Sequence, residues 1–359
     1  MAPSTDAGGY SLEPIKALTL LDLGTGRKPE DSSTSITLEA NKRTGIWIRG
    51  LDTRFRAVWR GGRVVGIGSR DADDPSQHLG QASLSLNLIS AALLNRPDLS
   101  QILRTSSSTV SPPLGHSISP TIYIVAPHTA QTIPLLHGNL ARMLSDSATA
   151  MELLKGVQLL QYFDFAGLVE AVGEVSEAMY GKIQSSKKPA PNATQEAAST
   201  QTHDIVLLQG LSPTVTATYR RSGLVHANAL LAALMRSIVQ LSRPAVNALV
   251  LVDVPIGFDG PGSLNANLDL THKSSHGVVL GSAFCGPTGE NLSLVCGHET
   301  LSRTLESGFD CIVIVHDGFG RVKQRSRHSK QSQCIIETVK DRVGDITGLW
   351  AIWSTDGLE

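Results

Sequence analysis

Residues 58–94 hold the types and spacings with the most chemical potential in this chain. A Gly61-Gly62 turn leads into an apolar strand at 63–67, where Gly66 and Gly68 alternate with branched residues. A polar loop then runs into an amphipathic helix expected from about Gln81. Strand, loop and helix in this order aim backbone N–H groups and a helix N-terminus at one point, which suits a phosphate. A working phosphate loop reads G-x-x-x-x-G-K-[ST], because lysine neutralises the outer phosphates and the hydroxyl ligates magnesium. The matching positions here are Gly80, Gln81 and Ala82, which supply neither the charge nor the hydroxyl. The loop at 69–79 is several residues too long and carries Asp71, Asp73 and Asp74, which repel phosphate. Gly66, Gly68, Gly80, Gln81 and Ala82 are therefore the candidate cofactor positions of a site that has lost its working parts.

A second candidate lies at 320–330, where Arg321, Lys323, Arg325, Arg327 and Lys330 give five formal positive charges and no acid. The alternation of Arg321, Lys323, Arg325 and Arg327 would line one face of a hairpin and suit contact with nucleic-acid phosphates. A solvated hairpin tip or a nuclear-localisation-like cluster has the same pattern, and no aromatic residue is interleaved for base stacking. Lys273 lies beside His272 in a Gly/Asn-rich stretch at 257–277. Arg220-Arg221 precede a long helix and read as an exposed pair. Cys296, His298 and Glu299, with Cys285 and Cys311, lack the paired C-x₂₋₄-C units of a structural zinc site, so buried thiols and no metal are expected. His316-Asp317-Gly318 reads as a strand-end turn, and without a G-x-S-x-G elbow no catalytic residue is assigned.

These candidates need elements to hold them, and 359 residues suffice for a substantial core. The 41% hydrophobic content describes a globular protein, and a net charge of −1 gives no global attraction to nucleic acid. Four scattered cysteines suit a reducing compartment. No basic-then-apolar leader opens the chain, and no run of about 18 apolar residues occurs. An intracellular, soluble protein with no membrane partner is the expectation.

Residues 1–45 read as a partly disordered N-terminal extension and 46–359 as the core. Strands are expected at 121–126, 204–209 and 247–253, the short segment 159–163 is apolar, and helices are expected at 132–144, 166–180 and 227–242. In the last helix Leu230, Leu231, Leu234, Ile238 and Leu241 make one buried stripe. The segment 181–203, rich in Ser, Lys, Pro, Ala, Asn and Thr, reads as a flexible insertion. Strands at 277–280, 292–296, 310–316, 333–340 and 349–354 complete the chain. The fold class is α/β: a mainly parallel sheet flanked by helices, with an antiparallel C-terminal extension.

The order of these motifs resembles the RecA-type ATPase core of the eukaryotic strand-exchange recombinase and its paralogues. Leu51-Asp52 and Gly61-Gly62-Arg-Val-Val-Gly-Ile-Gly match that family's lead-in to its P-loop, and Leu84-Ser-Leu-Asn-Leu matches the helix after the P-loop lysine. Residues 204–209 stand at the Walker B strand, which ends in Gln209 where the family has a magnesium-orienting aspartate. Asp253, ending the next strand, is one possible stand-in. Residues 257–277 correspond in position to the second DNA-binding loop, so the resemblance makes Lys273 a further candidate for DNA contact. Over residues 46–356 the resemblance implies a RecA-like P-loop NTPase core with both Walker signatures degenerate, Gln81 and Gln209 standing for the lysine and the aspartate. It further implies no ATP hydrolysis, and ATP and magnesium binding only as a possibility of the fold. The implied role is a non-catalytic recombinase paralogue supporting homologous recombination and DNA repair in the nucleus. Other RecA-like subunits in a hetero-oligomer are its implied partners, with DNA nearby. Two alternatives stay open: a RecA-fold scaffold subunit in an Elongator-like tRNA-modification assembly, and an ATPase with an atypical P-loop.

Overall fold

Continuous runs of Val, Ile and Leu are too apolar for a half-exposed strand, and they form the inner strands of a sheet covered on both faces. The computed structural model describes residues 46, 48, 51–69, 84–95, 120–186, 203–243, 246–259, 277–285, 291–316 and 333–354, all inside one compact unit, Asn41–Glu359. A 3₁₀ turn, Thr53–Ala57, precedes β1 (Arg63–Ser69) and α1 (Leu84–Leu94). Next come β2 (Ile122–Pro127), α2 (Thr132–Leu144), α3 (Ser147–Leu154), β3 (Val157–Tyr162), α4 (Phe165–Ser186) and β4 (Ile205–Leu208). They are followed by α5 (Leu211–Ser222), α6 (Leu224–Ser242), β5 (Leu249–Asp259), β6 (Val278–Leu280) and β7 (Asn291–Leu294). The order closes with α7 (Glu299–Ser307), β8 (Cys311–His316), β9 (Gln333–Asp341) and β10 (Trp350–Ser354).

The sheet runs β10-β9-β8-β1-β5-β4-β2-β3. From β8 to β3 all pairings are parallel, whereas β9 and β10 add antiparallel to one edge. This is the expected α/β class with its antiparallel C-terminal extension. Strand alternation divides the core. Val64, Val206, Val250 and Val252 face α4, α5, α6 and α7, while Val65, Leu207, Leu249 and Leu251 face α1, α2, α3 and the 3₁₀ turn.

Four expectations are corrected. The helix read as amphipathic is α1, buried on every side, from Leu84 to Leu93. Its polar members find partners inside: the Ser90 hydroxyl donates to the Leu86 carbonyl at 2.9 Å, and Asn87 accepts from Asn139 at 3.2 Å. The insertion expected at 181–203 begins as helix, since α4 continues to Ser186. Lys182 pairs with Asp204 at 2.9 Å and lies 5.1 Å from the centre of the Tyr123 ring, tertiary contacts that local composition does not reveal. The loop expected from 257 starts inside β5, because Gly257 lets β7 approach: a Cβ there would meet Val295 at 2.7 Å. Helices α3, α5 and α7 were not expected. Asp146 caps α3 by accepting from the amides of Ala148 and Thr149 at 3.0 and 3.1 Å, and His298 caps α7 through Nδ1.

The stripe on α6 is buried as expected at Leu231, Leu234, Ile238 and Leu241, with Ala227 and Met235 added and Leu230 only partly buried. Among the described residues α6 is the one helix long and apolar enough to cross a bilayer.

Candidate functional site

In an open α/β sheet the crevice for ligands lies beyond the carboxyl ends of the strands, where the strand order reverses. Here the chain leaves β1 for β2 on one side, and β8 lies on the other. The residues at that edge on the α1 and α2 side form one hydrogen-bonded set. Gln209 follows β4 directly, and its amide N–H donates to the Val125 carbonyl at 2.9 Å. Alternation from Leu207 turns its side chain toward α1 and α2, as it does for Asp253 after Leu251. The Gln209 carboxamide donates through Nε2 to Asp253 Oδ2 at 2.9 Å, and its Oε1 accepts from the hydroxyl of Thr132 at the start of α2. Ser85, in the first turn of α1, also hydrogen-bonds the Asp253 carboxyl. One neutral amide and one carboxyl thus join β4, β5, α1 and α2.

Burial pushes the Asp253 pKa up, and the hydrogen bonds from Gln209 and Ser85 only partly oppose that rise. The turn beyond Gln209 is fixed as tightly. Gly210 has φ +71, and a Cβ on it would fall 2.8 Å from the Tyr162 hydroxyl and 2.9 Å from Pro127. The same Tyr162 hydroxyl donates to the Gln209 carbonyl at 2.6 Å. The main chain at 209–210 is therefore held by β3 while its side chain is held by α2 and β5. Among the described residues no group of three His, Cys, Asp or Glu could hold a metal ion.

Gly66 and Gly68 lie within β1, with their Cα hydrogens toward the opposite face of the sheet. A Cβ at Gly66 would meet the Phe309 ring at 3.3 Å, and one at Gly68 would meet Ile256 at 2.3 Å and Ile314 at 2.9 Å. Close packing against β5, β8 and the α7–β8 turn accounts for both glycines. The remaining phosphate-loop candidates, Gly80, Gln81 and Ala82, lie outside the described residues. So do the nucleic-acid candidates Lys273, Arg321, Lys323, Arg325, Arg327 and Lys330. Arg220 and Arg221 end α5 and are exposed.

All four cysteines are free. Burial pushes the Cys296 thiol up to about 11, and burial with the nearby Asp341 carboxylate pushes Cys311 up to about 12, so both stay protonated at neutral pH. His298 and Glu299, read beside Cys296 as a weak metal candidate, serve α7: the first caps it and the second pairs with Arg303 at 2.5 Å.

Sequence reasoning missed a second buried polar cluster. His316, at the end of β8, bonds through Nε2 to Glu337 Oε2 on β9 at 2.8 Å. Glu337 also accepts from the Ser282 hydroxyl at 2.5 Å and the Ala283 amide at 2.7 Å. The serine bonds the carboxylate rather than the imidazole, so no nucleophile–base pair forms. The one available signal was an acid, Glu337, inside the apolar run of β9.

No protein-family model matches the chain, and no curated protein matches it.

Proposed function

We propose that this protein is a RecA-fold subunit without ATPase activity, a recombinase paralogue that supports homologous recombination and DNA repair as a partner of other RecA-like subunits. The observation that carries the reading is the state of Gln209. It ends the strand expected to present a magnesium-orienting acid, and both ends of its carboxamide are committed to protein partners. A neutral amide brings no negative charge to a divalent cation, and burial raises the Asp253 pKa, which disfavours its charged form. Magnesium-ATP fits the described part of this crevice poorly. Phosphoryl transfer depends on positioned charge, which the neutral Gln81 and Gln209 do not supply.

The layout supports the RecA reading. β1 and α1 lie in the order of a phosphate-binding strand and helix, β4 carries Gln209 at its end, and β5 stands between β1 and β4. An assembly role gains support from the outer edge of β3, which among the described residues pairs only with β2. That strand carries no charge or proline to guard it, and Phe163 beyond it is 78% exposed.

Purification of the protein from its native extract, with identification of what comes with it, tests the proposal. Recombinase-family subunits are expected. Recovery with two further RecA-like subunits of a tRNA-modifying ring would replace this reading with the scaffold alternative.

A further inference from the structure

β5 belongs to two sheets. It pairs in parallel with β1 as far as Ser69↔Pro255, and from Ile256 it pairs antiparallel with β7. β6 then adds to β7 through only three residue pairs, Val278↔Leu294 to Leu280↔Leu292. Three pairs are a short hold for a strand. Leu280 of β6 is buried in the core, and beyond it the carboxylate of Glu337, itself 1% exposed, fastens the following turn to the main sheet.

We propose that Glu337 is the latch of a hinged arm formed by β6 and the turn at 281–285, and that this arm opens separately from the rest of the fold. The latch has a fixed half and a moving half. On the fixed side, His316 of β8 meets Oε2 at 2.8 Å. On the moving side, the Ala283 amide donates to Oε1 at 2.7 Å and the Ser282 hydroxyl to Oε2 at 2.5 Å. Ser282 Oγ in turn accepts from the Phe284 amide at 3.1 Å, so the turn's own shape depends on the same carboxylate. The Phe284 ring lies 5.4 Å from His316 and 5.5 Å from Trp350 of β10 and closes the cluster.

Among the described residues, the titratable groups the packed elements bring here are His316 from β8, Glu337 from β9 and Cys285 from the turn. A buried carboxylate serving three donors is cooperative: losing the moving half leaves it desolvated and under-bonded, so the arm is either latched or free. Separate opening of such a unit is the ordinary form of local unfolding. The inference does not depend on the RecA reading.

Hydrogen exchange followed by mass spectrometry on the full chain tests it, comparing the unaltered protein with Glu337→Gln and Ser282→Ala. In Glu337→Gln, protection over 278–285 is expected to fall about tenfold or more while 122–127 and 205–208 keep theirs. Ser282→Ala is expected to show a smaller loss in the same peptides. Equal losses throughout the chain, or unchanged protection at 278–285 in both variants, would overturn the latch.

Discussion

At the scale of single residues, exchanging an acid for an amide at 209 changes what the strand end can do. A carboxylate there would face the buried Asp253 carboxyl across a hydrogen-bonding distance, and two carboxyls that close must share a proton or hold a cation between them. The carboxamide donates to Asp253 and accepts from Thr132, so it holds the same elements with no ion. Gln209→Glu is therefore expected to destabilise the fold by about 1–3 kcal/mol at pH 7, read from the midpoint of urea unfolding. Asp253 makes its own mark on pH dependence. Its folded pKa lies above the ordinary aspartate value, so the stability it contributes is full below that value and is lost as pH rises through the folded pKa. Asp253→Asn should remove that component from a series of unfolding curves taken against pH. An unchanged profile would mean that the carboxyl does not feel its burial.

At the scale of elements, β1 is constrained from the side away from the crevice. Gly68→Ala sets a methyl against Ile256 and Ile314 and is expected to cost about 1–3 kcal/mol. Adding Ile256→Ala should recover part of that loss, which a double-mutant cycle would show as coupling. On β9, burial raises the Glu337 pKa, but hydrogen bonds from His316, Ser282 and the Ala283 amide outweigh it and leave the pKa lowered. Its contribution is therefore present above the ordinary glutamate range and lost as pH falls through the folded pKa. Exchange protection at 278–285 should weaken selectively on acidification. The inner strands and α2 were legible because their apolar runs and helical period are local properties. The partners of Gln209 were not, since Thr132 and Asp253 lie 77 and 44 residues away and their contact is a product of strand order. The packing demand on the glycines of β1 was hidden for a related reason. A glycine needed for packing and a glycine needed for phosphate leave the same letter, and only the neighbouring Ile256, Phe309 and Ile314 distinguish them. The cap of α7 was hidden because histidine is not among the usual capping residues.

At the scale of the whole molecule, the mainly parallel sheet with helices on both faces has a crevice edge built from Gln209, Asp253, Thr132 and Ser85. In the proposed assembly the contact surface is the outer edge of β3, which among the described residues pairs only with β2. Leu159 there is 39% exposed, and Leu159→Lys is expected to reduce recovery of partner subunits without shifting the unfolding midpoint by more than about 0.5 kcal/mol. The central claim is that this crevice is held by hydrogen bonds within the protein and does not turn over nucleotide. Titration calorimetry with ATP and magnesium, paired with a phosphate-release assay on the same sample, tests it most directly. No saturable heat at millimolar nucleotide and no release above buffer are the expected results. Saturable binding with phosphate release that collapses when Gln81 is replaced would contradict it.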